Sequence, residues 1–179
     1  MNALIKVLAT ALLLINASAW AGSASPDDNQ HDPEQLKVFA KSVERYAAEQ
    51  GAHAFIIGRV GRPSDELPKG VNFTHAAIAV YSEIALDNGE TMKGYAIHNL
   101  YQNEDKKDRS SLVTDYPIDF FWGANEMKAG IIIPTPALQA KLIKAINSGQ
   151  DRLVHNPKYS VLSNPYNGRY QNCTEYTLD

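Results

Sequence analysis

Between residues 33 and 51, apolar side chains recur every three or four positions, at Leu36, Phe39, Ala40, Val43, Tyr46 and Ala47. That spacing predicts a helix with one buried face, opened by Pro33 and stopped at Gly51. Residues 54–58 are a short apolar run of strand type, and residues 59–70 carry Gly61, Pro63, Pro68 and Gly70, which reads as loop. Residues 73–81 (FTHAAIAVY) predict an apolar strand with a single histidine near its start. Asp87-Asn88-Gly89 supplies hairpin chemistry, and residues 93–102 (KGYAIHNLYQ) form the return strand. Residues 103–111 read as a charged loop, and the aromatic stretch 116–123 (YPIDFFWG) is expected to pack over the sheet. Residues 129–133 give a further strand, stopped by Pro134 and Pro136. An amphipathic helix follows over 137–147, built on Leu138, Leu142, Ile143 and Ile146 and closed by Gly149.

The order is helix, strands, hairpin, strand, helix, loop. Helices segregated from a small antiparallel sheet make the expected fold class α+β. One domain is expected over 34–179, with no internal repeat.

The N-terminal pattern reads as an address. Residues 1–21 combine Lys6, an apolar run over 7–15 and the small-residue ending Ala17-Ser18-Ala19-Trp20-Ala21. That is the layout of a cleavable secretory signal, and the apolar run is too short to span a bilayer comfortably. An exported, periplasmic or secreted protein with no stable membrane anchor after cleavage is expected. Residues 22–33 (GSASPDDNQHDP) read as a flexible leader.

Composition narrows the partners. The 179 residues carry 17 Lys+Arg against 20 Asp+Glu, a formal charge of −3, without basic clusters. No nucleic-acid partner is expected of such a chain, because that binding rests on a basic face. With Cys173 the only cysteine, no disulfide can form within the chain. In an exported protein an unpaired cysteine is either intermolecular or a reactive thiol.

A cysteine nucleophile needs a thiolate, a base and a group that orients the base. Cys173 sits where a helix could begin, after turn-formers (Asn164-Pro165, Asn167-Gly168), with Asn172 as cap and Glu175 in the first turn. A helix N-terminus favours the thiolate, and the Cys173 backbone N–H could serve an oxyanion. Only six residues follow, so this reading requires either further chain after Asp179 or a different placement of the cysteine. His75 is the base candidate. If the hairpin pairs 75 with 98, His98 becomes the orienting group, and a register about four residues later puts Gln102 there instead.

Phe73-Thr-His75-Ala-Ala-Ile-Ala-Val-Tyr, Gly94-Tyr-Ala-Ile-His98 and Asn172-Cys173-Thr-Glu-Tyr together resemble the circularly permuted branch of the papain-like NlpC-type thiol hydrolases. That branch includes the lecithin retinol acyltransferase-like enzymes. The resemblance implies a permuted papain-like fold with Cys173 as nucleophile, His75 as base and His98 (or Gln102) as orienting residue. The phrases Ile57-Gly-Arg-Val-Gly-Arg62, Asn99-Leu-Tyr-Gln102, Asp115-Tyr-Pro-Ile-Asp-Phe-Phe121 and His155-Asn-Pro-Lys-Tyr-Ser160 are also similar to a family of exported bacterial proteins, domain of unknown function 2145. That second resemblance implies no activity.

Other constellations are weak. His31, His53 and His155 lack metal-ligand spacing, and one cysteine cannot build a structural zinc site, so neither metal nor cofactor is expected. Gly58-Arg-Val-Gly61 lacks the Gly-Lys-Ser/Thr of a phosphate loop. Arg59 and Arg62 could grip a substrate carboxylate, although solvated loop arginines are commoner. The expected function is an exported thiol hydrolase or acyl-transfer enzyme acting on an amide or ester. Location and kinship favour peptidoglycan peptide. The alternative is a non-catalytic periplasmic binding or assembly module of the same fold.

Overall fold

The computed structural model describes residues 31–179. The signal expected over 1–21 lies outside the described residues, as does most of the leader. The leader's last residues already serve the first helix. Asp32 accepts from the N–H groups of Glu34 and Gln35, and Pro33 opens α1 (Pro33–Glu49), where its missing N–H costs nothing.

Five antiparallel strands form one sheet: β1 (Ala54–Val60), β2 (His75–Ala85), β3 (Thr91–Gln102), β4 (Ser110–Asp115) and β5 (Glu126–Ile132), in the order β4-β3-β2-β1-β5. With α2 (Pro117–Trp122), α3 (Pro136–Ser148) and α4 (Cys173–Leu178) beside it, the architecture is the expected α+β. Two expectations shift. Arg59 is part of β1 rather than the loop after it, and residues 110–111 open a strand, β4, within what reads as charged loop.

Alternation along the strands divides the core into two faces. Phe55, Ile57, Ala77, Ala79, Tyr95 and Ile97 point one way, onto Leu36, Ala40, Val43 and Ala47 of α1 and Phe120 and Phe121 of α2. Ala54, Ile78 and Val80 point the other way, onto Leu142, Ile143 and Ile146 of α3. The buried Gln139 of α3 ties that helix to the sheet: its Oε1 accepts from the N–H groups of His53 and Ala54, and its Nε2 donates to the Pro134 carbonyl. Gly149 ends α3 at φ 73°, a left-handed conformation that glycine adopts without a Cβ clash.

The hairpin turn falls at Asp87-Asn88-Gly89, as expected, with Ala85 paired to Thr91 and Gly89 at φ 83°. The pairing above it differs. Ile78 stands opposite His98, and continuing that register puts Tyr101, not His98, across from His75. A slip of three residues reverses which β3 side chains share the face of His75.

Candidate functional site

The site grows from one row of residues across the sheet. Arg59 of β1 pairs with His75, the first residue of β2, and Tyr101 of β3 stacks on the His75 ring with centroids 4.9 Å apart and planes 18° from parallel. All three are buried. Phe120 of α2 covers the row, its ring 5.6 Å from His75. Arg59 donates from Nη1 to the Phe120 carbonyl, and its guanidinium lies 5.5 Å from the Tyr101 ring centre and 5.2 Å from that of Phe120. The two rings accept the cation on their π-faces.

Asn99 of β3 completes the constellation. Its Oδ1 lies 3.0 Å from His75 Nε2. Its Nδ2 donates to the Ile97 carbonyl at 3.0 Å and to Asp115 Oδ2 at 3.1 Å. The same Asp115 oxygen accepts the Tyr101 hydroxyl at 2.6 Å. Both partners of Nδ2 are pure acceptors, which fixes the amide's orientation, so Oδ1 must receive a proton from Nε2. The neutral ring therefore carries its hydrogen on Nε2 and leaves a lone pair on Nδ1. That nitrogen is buried and makes no hydrogen bond among the described residues.

The electrostatics keep the ring neutral. Burial, then the Arg59 charge, lowers the His75 pKa to about 3, against a smaller raising effect of the Asn99 hydrogen bond. Burial raises the carboxyl of Asp115 above its ordinary value, opposed by the Tyr101 hydrogen bond and the Arg59 charge. Burial also raises the Tyr101 phenol, so its hydroxyl stays a donor at neutral pH.

Cys173 is the first residue of α4, as its sequence context suggests. Asn172 Oδ1 accepts from Glu175 N–H at 3.0 Å, and Glu175 Oε2 accepts from Asn172 N–H at 3.3 Å, a reciprocal capping box. Asn172 also donates to the carbonyls of Val161 and Ser163, which anchors the preceding loop. The helix packs on β2 and β3, and Cys173 is 5% exposed. Its Tyr176 packs against Leu100 and Tyr159. Leu100 lies between Asn99 and Tyr101, so its side chain leaves β3 on the opposite face. Cys173 and His75 thus stand on touching elements, and they do not hydrogen-bond: Nδ1 has no partner. Each is the first residue of its element.

The other two expected site residues lie elsewhere. His98 faces away from His75 into a cavity of about 490 Å³, bordered also by Ser110, Asp151, Arg152, His155 and Tyr176. Gln102 donates to the Lys107 carbonyl at 2.7 Å. Neither orients His75: the observed register runs three residues beyond the pairing that suggested His98 and one residue short of the pairing that suggested Gln102, so both side chains leave β3 on the other face. Asn99 holds that position. A period-2 reading of Tyr95, Ile97, Asn99 and Tyr101 carries the signal: a single amide, Asn99, interrupts a buried row of aromatic and aliphatic residues on one face.

Residues 46–179 match the model of a family described as uncharacterized protein conserved in bacteria, DUF2145. The chain belongs to this family. No curated protein and no solved structure matches it. In this DUF2145 chain, no group of three His, Cys, Asp or Glu side chains among the described residues could hold a metal ion. No helix among them is long and apolar enough to cross a membrane.

Proposed function

We propose that this protein is an exported thiol hydrolase or acyl-transfer enzyme of permuted papain-like kinship. In this reading Cys173 is the nucleophile, His75 the base acting through Nδ1, and Asn99 the orienting group. One observation carries it: His75 gives Nε2–H to a fixed amide and keeps Nδ1 open, on the strand against which the Cys173 helix packs. A thiol–imidazole pair needs a ring nitrogen whose lone pair is free in this way.

The Cys173 thiol proton passes to His75 Nδ1, and the sulfur attacks an amide or ester carbonyl. The tetrahedral intermediate collapses as Nδ1 returns the proton to the leaving amine or alcohol. Water or an acceptor alcohol then cleaves the thioester by the same route. A ring this buried is a weak base alone, and the thiolate formed against Nδ1 supplies the counter-charge that stabilises its protonated form. Peptidoglycan peptide is the favoured substrate.

A second reading, a non-catalytic binding or assembly module, draws on a different observation. Cys173 is buried, and Tyr176 of its helix packs on the sheet face opposite His75. Alkylation of Cys173 by iodoacetamide across pH separates the two. The enzyme reading expects a rate that changes by no more than about three-fold between pH 8 and pH 6, and that loses this plateau in His75→Gln. A rate that falls roughly ten-fold per unit, like a free thiol, contradicts it, as does a folded protein that does not react.

A further inference from the structure

We infer that Asp115 is a positioning residue of the His75 site: it holds the Asn99 amide so that the imidazole proton stays on Nε2 and the Nδ1 lone pair stays open. The inference rests on the proposed role of His75, but the geometry that carries it does not involve the cysteine.

An asparagine amide can sit in either of two nearly isosteric orientations, and its hydrogen-bond partners decide between them. Turned the other way, Asn99 would offer Nδ2 to His75. Nε2 would then have to accept, and the proton of the neutral ring would move to Nδ1, the atom proposed to receive the thiol proton. The Ile97 carbonyl favours the observed orientation but is a local, neutral acceptor two residues away. Asp115 adds an anionic acceptor from the neighbouring strand at 3.1 Å. A hydrogen bond to a charged group is worth more than one to a neutral group, and more again where water is excluded.

The carboxylate is itself held. The Tyr101 hydroxyl donates to the same Oδ2 at 2.6 Å, and the Tyr101 ring stacks on His75 while the Arg59 guanidinium lies 5.5 Å from the Tyr101 ring centre. Tyr101, Asp115, Asn99 and His75 therefore form one hydrogen-bonded chain, with the acid between the phenol and the amide. The simpler role for Asp115 is as counter-charge to the buried Arg59, which would affect stability and leave the tautomer unchanged.

The test is the ring ¹⁵N spectrum of His75 in ¹⁵N-labelled protein, assigned with His75→Gln. The wild type should show the Nε2–H tautomer, and an Nδ1–H ring there overturns the inference without any variant. In Asp115→Leu the Nε2–H share should fall from nearly all to about half or less. Asp115→Asn keeps an acceptor oxygen and should restore it, and Tyr101→Phe should leave it in place. If leucine does not fold, Asp115→Ser, too short to reach Asn99, is read the same way. A folded Asp115→Leu or Asp115→Ser protein with an unchanged tautomer sinks the proposal. These spectra do not depend on the thiol: a shifted tautomer with free-thiol alkylation keeps the positioning role and removes the enzyme reading.

Discussion

The two faces of one sheet hold histidines in opposite circumstances. On the α1/α2 face, His75 is sealed under Phe120, stacked on Tyr101, and bonded to an amide that can take only one orientation. On the other face, His98 and His155 border an open cavity, and His155 Nε2 meets the Ser110 hydroxyl at 3.1 Å. A hydroxyl both donates and accepts, and Ser110 also reaches the Asn156 carbonyl at 3.5 Å, so it constrains the His155 tautomer less than Asn99 constrains that of His75. Residue type does not fix a tautomer. A partner that tolerates only one protonation pattern does.

The comparison breaks most readily at its packing. Phe120→Ala removes a fully buried ring from the His75 face and should cost about 3–5 kcal/mol in chemical denaturation. Ile146→Ala, at the partly exposed wall of the cavity, should cost less than half as much, and equal losses would mean that the faces are not differently packed.

The next effect is on acid stability. The folded pKa of His75 is depressed, so the unfolded chain takes up a proton that the folded one refuses as pH drops below about 6.5. His75 therefore removes stability between pH 6.5 and about 3, by a few kcal/mol at full extent. Asp115 acts oppositely: its raised pKa favours the folded state as pH falls through the region just above 3.8. Urea melts from pH 7 to pH 4 should show a fall in midpoint that His75→Gln flattens more than His98→Gln does, since burial lowers the His98 ring as well. A slope that survives His75→Gln would show that another group carries it.

A smaller shift tests the buried cation. Arg59→Met removes the positive charge facing His75, and the ring's titration, followed by NMR, should move up while staying below the ordinary imidazole value, because burial is the larger cause. No movement would mean that burial alone keeps the ring neutral. The smallest effect is expected at His98→Ala, about 0–1 kcal/mol, because that side chain is half-buried against a cavity.

Much of the architecture is legible in the sequence because it rests on local signals. Pro33 and Gly51 bracket α1, Asp87-Asn88-Gly89 marks the hairpin, and Asn172 with Glu175 announces the start of α4. His75 is visible as the one imidazole in an apolar strand. Its orienting partner is not, because strand register is set by pairing across the sheet, and a three-residue difference exchanges His98 for Asn99. Arg59 reads as loop because glycines and prolines follow it closely, yet β1 continues through Val60 and buries it between two aromatic rings. β4 is hidden for a similar reason: Ser110 and Ser111 resemble the charged loop before them, and only pairing with Gln102 and Tyr101 makes them strand.

The proposed function requires the Cys173 sulfur to reach His75 Nδ1. The most direct measurement is cross-linking of the native protein with 1,3-dibromopropan-2-one, a three-carbon reagent that alkylates a thiol and then a nitrogen within its span. Peptide mass spectrometry should find Cys173 bridged to His75, with the bridge absent from His75→Gln. Cys173 modified at one end only, or bridged to another side chain, would contradict the account.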